Sequence, residues 1–207
     1  MHRIITIGRQ YASGGSQVGS RLSELMGIPC YDREALVAIA EKHGIPRETF
    51  EKADEQATSS FLYSLAMSAY NGGISAFGAN DHIITDRVFS IQSEEMKRLA
   101  SEGDCIFVGR CADDVLSSFD KVLNVFVYTS NEERIKAIMR LDNLDEQAAR
   151  KLINRSDKKR ASYYNFYTGK TWGDAKNYHL TIDSGALDVE GTAQIIKDFA
   201  EIFFAIK

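Results

Sequence analysis

Short runs of apolar residues alternate along this chain with longer segments in which apolar residues recur every three or four positions. The runs occupy residues 3–7, 28–31, 105–108, 122–128 and 178–182. Apolar runs of this length are typical of strands that are buried on both faces of a sheet. The pattern therefore predicts five short strands.

The segments between these runs show the spacing of amphipathic helices. After the first strand, Val18, Leu22 and Leu25 recur at helical intervals until Gly27 ends the pattern. Residues 33–43 and residues 86–100 show the same periodicity, and each segment is followed by a glycine. We therefore expect a helix after each of the first two strands and another before the third.

Three further helices are predicted in the second half of the chain from their first residues. Ser130 and Asn143 are each followed three residues later by a glutamate, which is the spacing of a capping box. Asp188 precedes the last periodic segment and is the predicted cap of the final helix. The helix after Asn143 is predicted to run to about residue 154.

Strands that alternate with helices form a parallel sheet with helices on both faces, so the chain is predicted to be a single α/β domain. Its 207 residues suffice for one such domain with an inserted element. Residues 46–80 interrupt the alternation with two short helix candidates and a glycine-containing loop, and we expect a mobile insertion there. Residues 154–172 are dense in arginine, lysine and tyrosine and form a second distinct segment.

The composition is that of a globular protein. Hydrophobic residues make up 44% of the chain, charged residues make up 26%, and the formal net charge is −4. This charge argues against a general nucleic-acid-binding protein, and no stretch is apolar enough to cross a bilayer. The chain enters its first strand at once, so no signal peptide is expected, and its three cysteines lack metal-ligand spacing. We therefore expect a cytoplasmic protein with buried free thiols.

The first predicted strand leads into a loop of small residues, Gly-Arg-Gln-Tyr-Ala-Ser-Gly-Gly-Ser at positions 8–16. Strand, glycine-rich loop and helix is the arrangement of a phosphate-binding P-loop, in which backbone N–H groups and the helix N-terminus surround a phosphate. Gly14 and Ser16 match the second glycine and the hydroxyl residue of the P-loop pattern. Arg9, however, stands at the first glycine, and Gly15 stands at the lysine. The loop alone is equally compatible with an ordinary turn between a strand and a helix.

Other polar residues are predicted at the same edge of the sheet. Asp32 follows the second strand, and Gly109 and Arg110 follow the third. Ligands of parallel α/β sheets lie outside the carboxyl ends of the strands. This rule gathers these residues beside the loop at 8–16 and favours the phosphate-binding interpretation. Asp32 is also a good N-cap for the helix at 33–43, and the two roles are compatible.

Taken in order, these motifs resemble the cytidylate kinase-like family of P-loop nucleoside monophosphate kinases. Residues 5–16 are similar to the degenerate P-loop of that family, and residues 31–33 stand where its members place an aspartate near the acceptor nucleotide. Residues 108–110 resemble the arginine-bearing turn after the third strand. The lid of the family is matched by a charged cluster that two tyrosines follow, and this cluster consists of Arg155, Asp157, Lys158, Lys159 and Arg160.

The resemblance implies a role for each of these elements. Backbone amides of the loop would hold the donor β-phosphate of ATP, and the Ser16 hydroxyl would bind Mg²⁺. Asp32 and Arg110 would bind the acceptor, and Arg155 and Arg160 would close over the transferred phosphoryl group. Considered without the resemblance, the basic segment is also consistent with a solvated surface or a protein–protein patch. The donor-site residues implied are Ala12, Ser13, Gly14, Gly15 and Ser16.

The activity implied is ATP-dependent phosphoryl transfer to a nucleoside monophosphate, with CMP or dCMP indicated by family likeness alone. The expected partners are small nucleotides, with neither nucleic acid nor a membrane among them. Two residues depart from the family pattern, because Gly15 replaces the lysine and Val108 stands where cytidylate kinases carry an acidic residue. A non-catalytic nucleotide-binding protein and a kinase for another small acceptor are therefore kept as alternatives.

If the chain is a kinase, another cation must replace the missing lysine near the phosphates. Arg9 belongs to the loop and could act before closure, whereas Arg155 and Arg160 could act only after it. We favour Arg9. On this hypothesis Arg9→Ala abolishes most phosphoryl transfer, and Gly15→Lys in that background restores part of it.

Overall fold

A computed structural model describes residues 2–42, 44, 46–48 and 79–206. Its centre is a five-stranded sheet whose strands follow the order β2-β3-β1-β4-β5, and every pairing in it is parallel. The predicted sheet is therefore confirmed. The strands are β1 Ile4–Arg9, β2 Cys30–Tyr31, β3 Cys105–Val108, β4 Val122–Tyr128 and β5 Leu180–Asp183.

Helices connect the strands, as the alternation predicted. In chain order they are α1 Gly15–Met26, α2 Arg33–Lys42, α3 Ala79–Glu102, α4 Ala112–Val115, α5 Asn131–Asp142, α6 Glu146–Thr168 and α7 Ser184–Ala205, with a short 3₁₀ turn at Ala175–Asn177. The helix α3 begins earlier than the expected residue 86. Most of the insertion expected at 46–80 lies outside the described residues.

The two faces of the sheet carry separate hydrophobic cores. On one face, Ile5 and Ile7 of β1 are fully buried and pack with α1 and α7. On the other face, Ile4 of β1 and Phe107 of β3 pack with α3, α4 and α6. The central strand β1 is therefore covered on both sides, which is why the consecutive residues Ile4 and Ile5 are both apolar and buried.

The predicted cap at Ser130 is confirmed, because its hydroxyl accepts a hydrogen bond of 3.2 Å from the Glu133 amide at the start of α5. The cap predicted at Asn143 is wrong. Asn143 ends α5 in a left-handed conformation, and Asp145 caps α6 by accepting a 2.7 Å bond from the Ala148 amide. A carboxylate one residue before the helix satisfies the free amides better than an asparagine that is already used as a C-cap.

The helix α6 is much longer than predicted, because it continues past residue 154 to Thr168. No glycine or proline lies within it, and Tyr164 near its end is 5% exposed in the core. Most of the segment expected as a lid, residues 154–172, is therefore helix with buried aromatic contacts. Tyr164 belongs to the core on the α3 face of the sheet, and Tyr163 and Tyr167 pack against it.

The remaining sequence predictions concern the last helix, the cysteines and the membrane. Asp188 has a left-handed backbone that interrupts α7, and its carboxylate accepts a 2.9 Å bond from the Gly191 amide, so the predicted cap is present inside a longer element. The three cysteines are free, and Cys105 and Cys111 are buried. Among the described residues, no helix has both the length and the apolar character needed to cross a bilayer.

Candidate functional site

The loop between β1 and α1 is held in a tight turn by its own backbone and by β4. Ala12 and Gly14 have left-handed backbones, with φ of 60° and 74°. Between them Ser13 is buried, and its hydroxyl donates to the carbonyls of Gln10 at 3.0 Å and Val127 at 3.2 Å. The turn delivers the chain directly into α1, so the loop amides and the helix N-terminus lie together. This arrangement is suited to an anion.

A cavity of about 440 Å³ opens beside this loop, at the carboxyl ends of β1 and β3. Its lining is strongly cationic, because five of its residues are arginine or lysine and one is a carboxylate, Asp113. Aromatic side chains from α6 and the segment that follows form another part of the wall. The cations are Arg9, Arg33, Arg110, Lys159 and Arg160, and the aromatic residues are Tyr11, Tyr163, Tyr164, Trp172 and Tyr178.

Arg9 reaches this cavity from the end of β1. Its guanidinium lies against Gly109, where any Cβ would overlap the Nη1 atom of Arg9. Gly109 has φ of +81°, a conformation that glycine adopts without strain. The missing side chain of Gly109 thus provides the space in which Arg9 crosses from β1 towards β3.

Gly15 is in contact with the same arginine. A Cβ built on Gly15 would lie 2.5 Å from the Cβ of Arg9 and 2.9 Å from its Cγ, which is closer than side chains pack. Alanine at position 9 keeps the Cβ, so the expected partial rescue of Arg9→Ala by Gly15→Lys is wrong on steric grounds. Only glycine at position 9 would make room for a side chain at position 15.

Arg110 lies in the most strained backbone of the site. Gly109, Arg110 and Cys111 are three consecutive left-handed residues, with φ of 81°, 57° and 57°. Left-handed backbone at a residue other than glycine costs free energy and is concentrated at functional sites. The guanidinium carbon of Arg110 lies 5.6 Å from the ring centroid of Tyr163 on α6, so the turn directs this cation into the cavity.

The helix α6 anchors the phosphate loop through two charged side chains. Asp157 accepts a 2.8 Å hydrogen bond from the Tyr11 amide and pairs with Arg134, which is 5% exposed. Arg160 donates a 3.0 Å bond to the Arg9 carbonyl, and its guanidinium lies 5.4 Å from the Tyr11 ring centroid. The segment that resembles a lid is thus attached to the loop that it was expected to cover.

Asp32 and Arg155 lie outside the cavity lining, as do residues 12–16 of the loop. Arg155 is exposed on α6, and Lys159 on the same helix lines the cavity. The carboxylate of Asp32 accepts a 3.0 Å bond from the Ala35 amide and so has the capping geometry for α2, while its neighbour Arg33 lines the cavity. The predicted contacts of Arg155 with the phosphoryl group and of Asp32 with the acceptor remain proposals.

Asp113, which was not among the residues predicted from the sequence, is 9% exposed and forms part of the cavity wall. Tyr164 donates a 2.6 Å hydrogen bond to its carboxylate, and burial raises the pKa of Asp113. The next residue, Asp114, instead forms an ion pair of 2.7 Å with Lys170. Two adjacent aspartates three residues after Arg110 were a visible signal, although the sequence does not indicate which of them faces inwards.

Comparison with known proteins agrees with this architecture. The family model described as "Cytidylate kinase-like family" matches residues 4–186. None of the curated protein sequences matches this chain. An uncharacterized protein from Eubacterium ventriosum has a similar structure, with a TM-score of 0.70 and 25% identity over 97% of this chain and 99% of the other.

Two small-molecule kinases share the fold at lower sequence identity. A gluconokinase from Sinorhizobium meliloti gives a TM-score of 0.52 at 14% identity, over 99% of this chain and 98% of the other. A shikimate kinase from Bacteroides thetaiotaomicron gives 0.51 at 11% identity, over 97% and 99% of the two chains. At these identities the two kinases show the fold alone, whereas the family match covers most of the chain. This chain therefore belongs to the cytidylate kinase-like family.

Proposed function

We propose that this protein transfers the γ-phosphoryl group of ATP to a nucleoside monophosphate, with CMP or dCMP as the acceptor. The observation that carries the proposal is the cavity lined by five cations beside the glycine-containing loop. A nucleoside monophosphate brings a phosphate dianion, and a cavity of about 440 Å³ has room for a ligand of small-molecule size. The preference for cytidine rests on the family.

The donor nucleotide would bind at the loop. Backbone amides of residues 12–16 would hold the β-phosphate of ATP, with the partial positive charge of the α1 N-terminus behind them. The Ser16 hydroxyl, on an exposed residue at the start of α1, would be the protein ligand of Mg²⁺. The described residues contain no group of three acidic, histidine or cysteine side chains that could hold a metal. This donor set fits Mg²⁺, because that ion keeps several waters and binds mainly to the substrate phosphates.

The acceptor phosphate would lie in the cavity. The planar guanidinium of Arg110 can donate two parallel hydrogen bonds to phosphate oxygens, and Arg33 and Lys159 add charge to the same wall. An acceptor oxygen attacks the γ-phosphorus, the bond to the β–γ bridging oxygen breaks, and ADP leaves with that electron pair. The attacking oxygen is already anionic, so no side chain has to remove a proton. Positioning and charge neutralisation supply the rate.

Closure of α6 would complete the site. Arg160 already lines the cavity, and Arg155 would reach the phosphoryl group only if residues 154–172 moved over it. We also place this activity in the cytoplasm, with small nucleotides as the partners. The net charge of −4 gives no reason to expect nucleic acid.

The test is a coupled assay of ADP release with Mg-ATP and a panel of nucleoside monophosphates, run against a blank without acceptor. We expect turnover above the blank with CMP or dCMP. Turnover with a different acceptor would contradict the cytidine preference and keep the kinase proposal. No turnover with any nucleotide of the panel would reject the proposed function.

The absent lysine favours one alternative, a non-catalytic nucleotide-binding protein. Gly15 carries no charge where the P-loop pattern places the phosphate-chain cation, and a lost donor of this kind can lower a rate on the order of 10²–10³. A binding protein of this kind would bind ADP or ATP tightly in calorimetry and yet give no turnover across the panel. The same two measurements therefore separate the alternatives.

A further inference from the structure

We propose that Arg9 and Gly15 are an exchanged pair, in which the loop's cation has moved from the lysine position to the first-glycine position. We further infer that the Arg9 guanidinium serves the acceptor-side cavity rather than the donor β-phosphate. The inference deepens the proposed function and rests on it for the identity of the two ligands.

The exchange follows from the space between the two residues. Side chains at positions 9 and 15 would occupy the same volume, since their Cβ atoms would be 2.5 Å apart. One of the two positions must therefore be glycine. The usual P-loop pattern has glycine first and lysine later, whereas this chain has arginine first and glycine later.

The direction of Arg9 follows from its second contact. Parallel pairing of β1 with β3 sets Ile7 beside Val108, and the Gly109 amide donates a 3.0 Å bond to the Ile7 carbonyl. Gly109 therefore lies next to the end of β1, and the guanidinium of Arg9 occupies the space that its missing side chain leaves. The Arg9 side chain fills the space beside both Gly15 and Gly109. Its charge is therefore directed away from α1 and towards β3.

The destination of that charge is the cavity that also contains Arg110 and Arg160. Arg160 donates to the backbone carbonyl of Arg9, so the α6 cation is held beside the backbone of the residue that carries the loop cation. Two guanidinium groups on one cavity wall suit a phosphate monoester dianion or a phosphoryl group arriving from ATP. The affinity for the acceptor phosphate should consequently depend on Arg9 more than the affinity for ADP does.

The steric half of the proposal is tested by thermal unfolding of a set of variants. Gly15→Ala should lower Tm by about 2–12 °C, the range expected for one overpacked methyl group in a chain of this size. The same change should cost as much in an Arg9→Ala background, where the Cβ remains, and much less in an Arg9→Gly background. Equal losses in all three backgrounds would overturn the exchanged pair.

The electrostatic half is tested by binding. Trp172 is the single tryptophan of the chain and lines the cavity, so its fluorescence reports occupancy by CMP or inorganic phosphate. We expect Arg9→Gly to weaken CMP and phosphate about 10-fold or more, as for a lost charge-assisted contact, and to change ADP affinity in calorimetry less than about 3-fold. Moving the cation back with Arg9→Gly/Gly15→Lys should raise ADP affinity and leave CMP binding as weak as in Arg9→Gly.

The outcomes distinguish this inference from the proposed function. Loss of ADP affinity with unchanged CMP and phosphate binding would assign Arg9 to the donor and overturn the inference, as would equal loss for both ligands. A wild-type protein that binds phosphate but not CMP would reject the proposed acceptor. The role of Arg9 would then be tested by comparing the phosphate affinity of the wild type with that of Arg9→Gly. A wild-type protein that binds neither in the cavity would reject both.

Discussion

At the scale of single residues, the site depends on where the backbone allows a side chain and where it does not. Glycine at positions 15 and 109 leaves space that Arg9 fills, and left-handed backbone at 109–111 directs Arg110 into the cavity. Arg110 and Cys111 are not glycines, and a left-handed backbone at such residues costs free energy. We infer that this cost is tolerated because the turn places the Arg110 guanidinium on the same cavity wall as that of Arg9.

Replacement of Arg110 tests its assignment to the acceptor. Arg110→Ala should weaken acceptor binding or turnover by about 1–3 kcal/mol, the size of a lost charge-assisted contact. ATP affinity should be nearly unchanged, because the proposed donor site is the loop between β1 and α1, whereas Arg110 lies in the turn after β3. Arg98→Ala is the matched control, since Arg98 forms ion pairs with Glu95 and Glu102 on the exposed side of α3. A variant of Arg110 that loses ATP affinity and retains acceptor affinity would contradict the assignment.

At the scale of the elements, α6 links the phosphate loop to the core. The middle of α6 contacts the loop through Asp157 and Arg160, and its C-terminal half buries Tyr164 beside Asp113. The stacked rings of Phe89 and Tyr167, with centroids 3.9 Å apart, hold the same half of α6 against α3. A displacement of α6 would therefore be transmitted to the loop and to the cavity together.

The buried pair between Arg134 and Asp157 should stabilise this link. Asp157→Ala leaves the Arg134 guanidinium buried without its carboxylate and the Tyr11 amide without its acceptor. We expect a loss of about 3–5 kcal/mol in the free energy of unfolding, measured in urea. Glu146→Ala removes an exposed partner of Arg150 on the same helix and should cost about 0.5 kcal/mol or less. Similar losses for the two variants would show that the Asp157 contacts contribute nothing beyond a surface pair.

Hydrogen exchange tests whether α6 closes on ligands. The amides around Tyr164 should be protected in the free protein, because that turn is buried. Protection of residues 154–160, and of the insertion expected at 46–80, should rise when a bisubstrate analogue is bound. Equal protection of these segments in the free and bound protein would exclude closure as part of the mechanism.

At the scale of the whole molecule, the sheet and the position of the site were predictable, because both follow from local sequence. Apolar runs define the strands, and the carboxyl-end rule gathers the loop and Arg110 at one edge. The contacts between distant elements were not predictable. Nothing local shows that Asp113 faces inwards and Asp114 outwards, since their partners, Tyr164 and Lys170, lie far along the chain.

Burial of weak acids across both cores gives the molecule a predicted dependence on pH. Burial raises the pKa of the Cys30 thiol to about 11 and that of Cys105 to about 12, and it also raises the pKa of the Tyr164 and Tyr178 hydroxyls. These groups stay protonated in the folded chain at pH values where the unfolded chain has already ionised. The folded state therefore loses stability as pH rises above about 8.5, the usual pKa of a free thiol.

Urea unfolding in reducing buffer between about pH 8 and about pH 10.5 measures this loss. The midpoint should fall steadily across the range, because the unfolded chain binds fewer protons than the folded one. Cys105→Ala removes one buried thiol and should make the decline shallower. A midpoint that does not change over this range would contradict the burial of these groups.

Phosphorus NMR tests whether the cationic cavity receives the acceptor of a phosphoryl transfer. Mg-ATP is incubated with the protein and CMP, and the signals of the products are followed in one sample. We expect the α- and β-phosphate signals of CDP to grow in step with those of ADP, and we expect Arg110→Ala to slow both. Formation of ADP and inorganic phosphate without CDP, or no reaction with any nucleoside monophosphate, would contradict this role of the cavity.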